Sequence, residues 1–143
     1  MQGIFQRYLL LYRPLISRLN ELLSEYDLSY SLWQVIFFVK NNGPSTLVEI
    51  SVHFNVEKPT ITRTVQRLEV KQLINVKQGK DRREKIISLS EFGEDIYQNC
   101  RQKITKLEYE AMQGIPKDEQ STVFEILPKI RENIINLEGD RHE

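Results

Sequence analysis

The sequence predicts a mainly α-helical domain with one small β-hairpin, an α+β class in which helices supply most of the core. Apolar residues recur three and four apart through most of the chain, which is typical of amphipathic helices. Two short runs rich in Ile and Val flank a turn that contains Gly and Asp, which predicts a hairpin. The 143 residues, 40% of them hydrophobic, fit a single domain over residues 1–143.

The first predicted helix covers residues 3–25 and carries one broad apolar stripe. Its members are Phe5, Tyr8, Tyr12, Leu15, Leu19 and Leu22, widened by Leu9, Ile16 and Leu23. Pro14 interrupts the stripe and predicts a bend or a restarted helix. A broad apolar face on a terminal helix needs a cover, and a partner subunit is a natural candidate.

Three shorter helices are predicted next, each with its own start or stop signal. Ser31 caps a helix to residue 41, which Asn42-Gly43-Pro44 ends. Ser45 or Thr46 caps a second helix that ends near Asn55. The third covers residues 58–71, with Pro59 in its first turn, where a proline is tolerated.

The hairpin and two long helices complete the chain. The predicted strands are residues 73–77 and 85–89, joined by a tip at 78–84. Ser90 is the expected N-cap of a long helix that stops near Gly114. A last helix starts near Asp118, and Pro128 is expected to kink it.

The positive charge of this neutral chain is concentrated in one segment. Residues 57–88 contain nine basic and four acidic residues, whereas residues 1–56 contain four of each and residues 89–143 contain seven basic and twelve acidic. The segment therefore carries +5 and the following residues −5. This distribution is typical of a protein that binds a polyanion through one surface, although a solvated basic face is the simpler alternative.

Two short helices followed by a hairpin describe a winged helix-turn-helix, which places the DNA-binding core at residues 31–90. On the 58–71 helix, Arg63, Gln66 and Arg67 lie opposite the apolar face, with Lys58 near the start. The hairpin tip carries Lys80, Arg82, Arg83 and Lys85, which suit phosphates or a narrow minor groove. Asp81 is expected to hold an arginine side chain through a bidentate pair.

At these residues the chain resembles the MarR family of bacterial transcription regulators. Residues 81–93, DRREKIISLSEFG, match its wing signature of Asp, one residue, Arg, five residues, Leu-Thr, two residues and Gly, with Ser90 in place of Thr. Residues 46–51 and 59–69 are similar to the two helices of its DNA-binding motif. One departure is Gln72, where many members have Gly; a left-handed helix cap would be strained there, so the helix is expected to end differently in this chain.

The resemblance implies a triangular homodimer on a near-palindromic double-stranded site, most often as a repressor. Residues 1–26 and 91–139 would be its dimerisation helices. It places Arg83 in the minor groove with Asp81 as its orienting partner, and it adds Thr60 and Thr62 to the groove-facing helix. A small-molecule effector is a further expectation, with Tyr8, Tyr12, Trp33, Phe37 and Phe38 as pocket residues, although core packing explains these aromatics more simply and is the favoured interpretation.

Other chemistry has little support in the sequence. His53, His142 and the single Cys100 offer no metal-ligand spacing, and no catalytic or nucleotide motif occurs, so neither a cofactor, a metal nor an enzyme is expected. Cys100 lies on an apolar stripe and is expected to be a buried, inert thiol, with a redox switch as the alternative. The sequence contains no run of about eighteen apolar residues, so no membrane span is expected. The cytoplasm is the expected location. A winged-helix module that docks a protein is the second functional alternative.

Overall fold

The computed structural model describes residues 2–81 and 83–140, with side chains up to residue 137. It contains two compact units, residues 1–105 and 106–143. In chain order the elements are α1 (Ile4–Ser24), α2 (Tyr30–Asn42), β1 (Ser45–Thr46), α3 (Leu47–Phe54), α4 (Lys58–Val70), β2 (Ile74–Gln78), β3 (Lys85–Leu89), α5 (Glu91–Ala111) and α6 (Lys117–Asp140). The predicted class, mainly helical with a small β-hairpin, is confirmed. The finer division of the chain into functional segments stays a prediction.

The core of the first unit lies where α2, α3 and α4 pack against the sheet. Among its fully or nearly fully buried side chains are Leu32, Val35, Ile36, Ile50, Ile61, Leu68 and Ile87. On α4 the buried positions are Ile61, Val65 and Leu68, spaced four and three apart. This spacing places them on one face of the helix, so the opposite face is left to the solvent.

Helix α1 passes through Pro14 as one continuous element, so the predicted restart of the helix is wrong. The predicted cap of α2 is also wrong. The helix begins at Tyr30 after Ser29, whose side chain forms no capping hydrogen bond. Asn20 satisfies this helix end instead, because its Oδ1 accepts a 2.7 Å hydrogen bond from the backbone N–H of Tyr30.

The sheet has a third strand that the sequence pattern did not predict. Strand β1 has only two residues and pairs antiparallel with β3, with Ser45 opposite Ile87 and Thr46 opposite Ile86. Strand β2 pairs with the other edge of β3, which gives the order β1-β3-β2. Thr46 is confirmed as the cap of α3, where it forms a capping box with Glu49.

The end of α4 has a left-handed cap at Gln72, so the expectation that the helix ends differently here is wrong. Gln72 adopts φ 63°, and its N–H donates to the carbonyl of Glu69 at 2.9 Å, while the N–H of Leu73 donates to the carbonyl of Leu68 at 3.1 Å. These two bonds form a Schellman motif, which usually has glycine at the left-handed position. Glutamine therefore holds a conformation that its Cβ disfavours.

Two lysines form ion pairs that connect the turn between α1 and α2 to neighbouring elements. Lys71, just after α4, lies 2.6 Å from Asp27, and Lys103 on α5 pairs with Glu25. The hydrogen bond from Lys71 lowers the pKa of Asp27. A third pair joins α2 to α5, because Lys40 Nζ lies 2.5 Å from Glu94 Oε1.

The second unit contains the end of α5 and the whole of α6. Helix α6 is one continuous element that includes Pro128. Gln120 fixes the preceding turn, because its Nε2 donates to the carbonyls of Met112 and Ile115 at 3.2 and 2.8 Å. Within residues 2–81 and 83–140, no helix is long and apolar enough to cross a membrane.

We expect Gln72→Gly to stabilise the fold by about 0.5–1 kcal/mol, because glycine adopts the left-handed conformation without the side-chain penalty. Urea unfolding of the two proteins measures the change. Gln66→Gly is the matched control, since it places glycine inside the same helix and should destabilise by about 0.5–1 kcal/mol. A lower unfolding midpoint for both variants would contradict strain at Gln72.

Candidate nucleic-acid interface

Helix α4 presents a polar, cationic face opposite its buried one. Arg63, Gln66 and Arg67 are exposed, as are Lys58 and Thr60 in the first turn. The structure thus places these predicted residues in solvent on the element that the sequence assigned to them. Thr62 differs, because it is half-buried and its Oγ1 donates to the carbonyl of Lys58 at 3.0 Å. Its hydroxyl proton is used within the helix, so only the acceptor capacity of this oxygen remains available.

The hairpin of β2 and β3, here called the wing, has a fixed register and a closed tip. Its pairs run from Ile74 opposite Leu89 to Gln78 opposite Lys85. At the tip, the N–H of Gly79 donates to the carbonyl of Glu84 at 2.7 Å. The basic side chains beyond the last pair are therefore carried on a hydrogen-bonded turn and not on an open loop.

Asp81 has a backbone partner that the sequence did not predict. Its Oδ1 accepts a 3.2 Å hydrogen bond from the backbone N–H of Arg83, and its carbonyl accepts from the N–H of Glu84 at 2.9 Å. This is an Asx-type turn, in which a short acidic side chain fixes the backbone two residues on. In the part of the chain that the structure describes, Asp81 thus orients Arg83 through its backbone, and the guanidinium pair stays a prediction.

Exposed cations surround that turn. Lys80, Arg83 and Lys85 are all exposed, and Arg82, like His142, lies outside the described residues. Lys77 was absent from the predicted contacts, yet it is exposed on β2 opposite Ile86. The alternation of Val76 inward and Lys77 outward was visible in the sequence and could have identified it.

The five aromatics predicted to line a ligand pocket fall into three groups. Tyr8 and Tyr12 lie on α1 with ring centroids 6.1 Å apart. Trp33 and Phe37 lie together on α2, with centroids 6.2 Å apart. Phe38 packs against His53, at 4.5 Å, and Phe54. Trp33 and Phe38 are core residues, whereas His53 is exposed, in agreement with the expected surface position.

Two further tyrosines border these groups, and sequence reasoning did not assign them a role. Tyr97 on α5 stacks on Trp33 with centroids 5.4 Å apart and planes within 8°. Burial raises the pKa of Tyr30, and the nearby Tyr12 and Tyr8 raise it further, so the three hydroxyls share one region. Tyr97 is one position off the apolar stripe through Ile96 and Cys100, so the sequence pattern did not identify it as a buried residue.

Cys100 is fully buried, which confirms the predicted environment of this thiol. Burial raises its pKa to about 11, and the positive charge of Lys103 offsets this only in part. Thiolate is the reactive form, so this environment opposes redox signalling through Cys100. Within the described ranges, 2–81 and 83–140, no group of three or more His, Cys, Asp or Glu side chains could hold a metal ion.

Known proteins share this arrangement. The MarR family profile matches residues 26–84, from the turn between α1 and α2 to the tip of the wing. A curated relative from Bacillus subtilis strain 168, the uncharacterized HTH-type transcriptional regulator YwoH, is 36% identical over 112 residues, which cover 78% of this chain and 81% of that protein.

Two solved structures are similar over nearly the whole chain. Staphylococcus aureus MarR in complex with salicylate and kanamycin has a TM-score of 0.84 and 26% identity, covering 94% of this chain and 92% of that one. A MarR family transcriptional regulator from Listeria monocytogenes complexed with a 26mer DNA has a TM-score of 0.87 and 22% identity, covering 95% and 91%. The second likeness concerns the fold alone.

We expect Cys100 to resist alkylation in the native protein, because at pH 8 only about one buried thiol in a thousand is ionised. Iodoacetamide should label it about 100-fold more slowly than in the urea-unfolded chain. Lys80→Cys is the control, since it adds a thiol at the exposed wing tip that should react rapidly. Equal labelling rates for Cys100 in folded and unfolded protein would contradict this result and restore the redox alternative.

Proposed function

The chain belongs to the MarR family of transcriptional regulators, and we propose that it binds near-palindromic double-stranded DNA as a homodimer. The observation that carries this proposal is the outward, cationic face of α4 together with the exposed cations of the wing. In this proposal the protein acts in the cytoplasm as a repressor and needs no enzymatic activity or cofactor.

Helix α4 would enter the major groove, which is wide enough for one α-helix. Arg63 and Arg67 can each donate two parallel hydrogen bonds to guanine, and Gln66 can pair with adenine in the same way. Lys58 and the hydroxyl group of Thr60 would donate to phosphates near the start of the helix, and the oxygen of Thr62, whose proton is already donated to Lys58, would accept from a base amino group. The burial of the opposite face supports this orientation, because it leaves these polar side chains free to meet a ligand.

The wing would contact the adjacent minor groove. Arg83 is the proposed reader, because the narrow groove has a strong negative potential that attracts guanidinium. The hydrogen bond from its backbone to Asp81 supports that role by fixing where the side chain starts. Lys80, Lys85 and the undescribed Arg82 would bind phosphates and strengthen binding without selecting sequence.

The homodimer is supported by apolar side chains that each unit leaves in solvent. In the first unit, α1 exposes Phe5 by 60%, together with Tyr8, Leu9 and Leu15. In the second unit, α6 exposes Phe124 by 79%, together with Val123 and Leu127. Isolated exposed apolar residues are ordinary, but a stripe of them along a helix marks an interaction surface.

A small-molecule effector would act only if it bound one spacing of the two α4 helices better than another. Tyr8, Tyr12, Trp33, Phe37 and Phe38 are the residues we propose around such a ligand. The proximity of Tyr30 to Tyr8 and Tyr12 supports a site on the α1 side. Trp33 and Phe38 would contribute mainly through packing, since both are buried.

Selection of bound duplexes from a random pool tests the proposed function. We expect an enriched sequence with two symmetric half-sites whose centres lie about ten base pairs apart, one turn of the duplex. Affinity for it should fall steeply with added salt, because cations that neutralise phosphates release counterions. Failure to enrich any sequence, even in dilute buffer, would refute DNA binding and favour a module that docks a protein.

Arg83→Ala should weaken binding to the selected duplex by about tenfold or more. It should also reduce the slope of log affinity against log salt concentration by about one. Fluorescence anisotropy at several salt concentrations measures both quantities. Arg18→Ala is the matched control, since it removes an exposed arginine of α1 that pairs with Glu21 on its own helix. Equal losses for the two variants would remove the wing from the mechanism.

Phe5→Glu should dissociate the dimer, because it places a charge within the apolar stripe of α1. Sedimentation velocity measures the change in mass, and duplex binding should fall with it. Leu10→Glu is the control, because Leu10 is 68% exposed but lies off the stripe. A dimer that persists in Phe5→Glu while Leu10→Glu dissociates would place the interface on the other face of α1.

A further inference from the structure

Helix α4, the wing and α5 meet at four residues, here called the Ser90 junction: Gln72, Leu73, Ser90 and Gly93. Gln72 and Leu73 connect α4 to β2, and Ser90 connects β3 to α5. Both elements proposed to contact DNA are therefore attached to the start of α5 at one point. None of the four belongs to the residues proposed to touch DNA.

Ser90 joins the two sides through three hydrogen bonds. Its Oγ donates to the carbonyl of Gln72 at 2.7 Å and accepts from the N–H of Gly93 at 2.9 Å. Its backbone N–H donates to the carbonyl of Leu73 at 3.1 Å. One hydroxyl therefore caps α5 and also binds the chain that leaves α4, so the predicted cap is confirmed and has a second function.

Gly93 allows the close approach that these bonds require. A Cβ atom on this buried residue would lie 2.0 Å from the carbonyl oxygen of Leu73, which is backbone and has little freedom to move. The glycine of the family signature thus has a physical reason in this chain, namely the contact between the first turn of α5 and the α4–β2 connection. Any side chain would push these two apart.

The Ser90 junction lies close in sequence to the end of α4. Gln72 follows the last residue of α4, Val70, by two positions, and the Schellman bonds to Glu69 and Leu68 make that connection stiff. The ion pair of Lys71 with Asp27 holds the same end from the α1–α2 turn. A change at Ser90 is therefore transmitted to α4 over a short distance.

We propose that Ser90 and Gly93 are positioning residues, which hold α4 and the wing on α5 as one unit and thereby set the half-site spacing that the dimer accepts. The inference rests on the proposed function, since spacing has a meaning only for a dimer on DNA. Helix α4 has 13 residues and is about 20 Å long, so a tilt of roughly 10° about its anchored end moves the other end by about 3.4 Å. That displacement equals the rise of one base pair, which makes the selected spacing sensitive to small changes at the junction.

Duplexes with altered spacing test the proposal. The set comprises the half-sites selected by the wild-type protein at their selected spacing, the same half-sites with one base pair inserted or removed between them, and one isolated half-site. Inserting a base pair shifts one half-site by about 3.4 Å and rotates it by about 35°. Wild-type protein should prefer the selected spacing by about tenfold, which corresponds to the loss of one good base contact.

Ser90→Ala should reduce that preference to about threefold or less, while its affinity for the isolated half-site stays within about twofold of wild type. Ser90→Thr keeps the hydroxyl and should restore the full preference. Thr46→Ala is the matched control, because it removes the equivalent cap of α3, a 3.1 Å bond from the N–H of Glu49, and changes none of the hydrogen bonds of Ser90. It should lower stability to a similar degree and leave the spacing preference unchanged.

The outcomes separate the two proposals. If wild-type protein selects no duplex, the proposed function fails. If wild-type protein selects a spaced pair of half-sites and Ser90→Ala keeps the full preference, DNA binding stands and the positioning role is refuted. A loss of preference in Thr46→Ala as large as in Ser90→Ala would also refute it, since general destabilisation would then explain both. Circular dichroism of each variant at the assay temperature establishes that all of them are folded.

Discussion

The rest of the DNA-binding arrangement depends on one close contact, in which the carbonyl of Leu73 occupies the space that a side chain would need at position 93. Glycine permits this contact because it has no Cβ. It lets the start of α5 approach the connection between α4 and β2, where Ser90 binds both sides. The basic residues of α4 and of the wing are exposed in solvent, but the backbone that carries them is fixed at this point. The basic residues of α4 and of the wing can therefore act on the same DNA although they lie on two separate elements.

The same arrangement explains how a neutral chain suits a polyanion. Apolar side chains on the inner face of α4 fix that helix to the core, and its outer face is left to arginine and glutamine. Acidic residues are concentrated elsewhere in the sequence, so residues 57–88 keep a net charge of +5. Asp81, one of the four acidic residues of this segment, fixes the backbone of the wing tip.

Much of this structure could be predicted because it depends on local patterns. Periodicity identified the helices and both long strands. The rest depends on contacts between distant residues. Strand β1 has two residues and exists only because β3 offers an edge, and Asn20 caps α2 from ten residues away. The hydrogen bond from the backbone of Arg83 to Asp81 was not predicted, because a short acidic side chain can reach either a guanidinium or its own backbone, and sequence does not distinguish them.

Hydroxyl-radical footprinting of the selected duplex tests most directly whether α4 and the wing of each subunit act as one unit. A dimer would then place two such units on the duplex. The account predicts two protected tracts related by symmetry, with centres about ten base pairs apart. In each half, the minor-groove protection from the wing should lie at the same distance from the major-groove tract of α4. A single tract, or wing protection at unequal distances in the two halves, would contradict it.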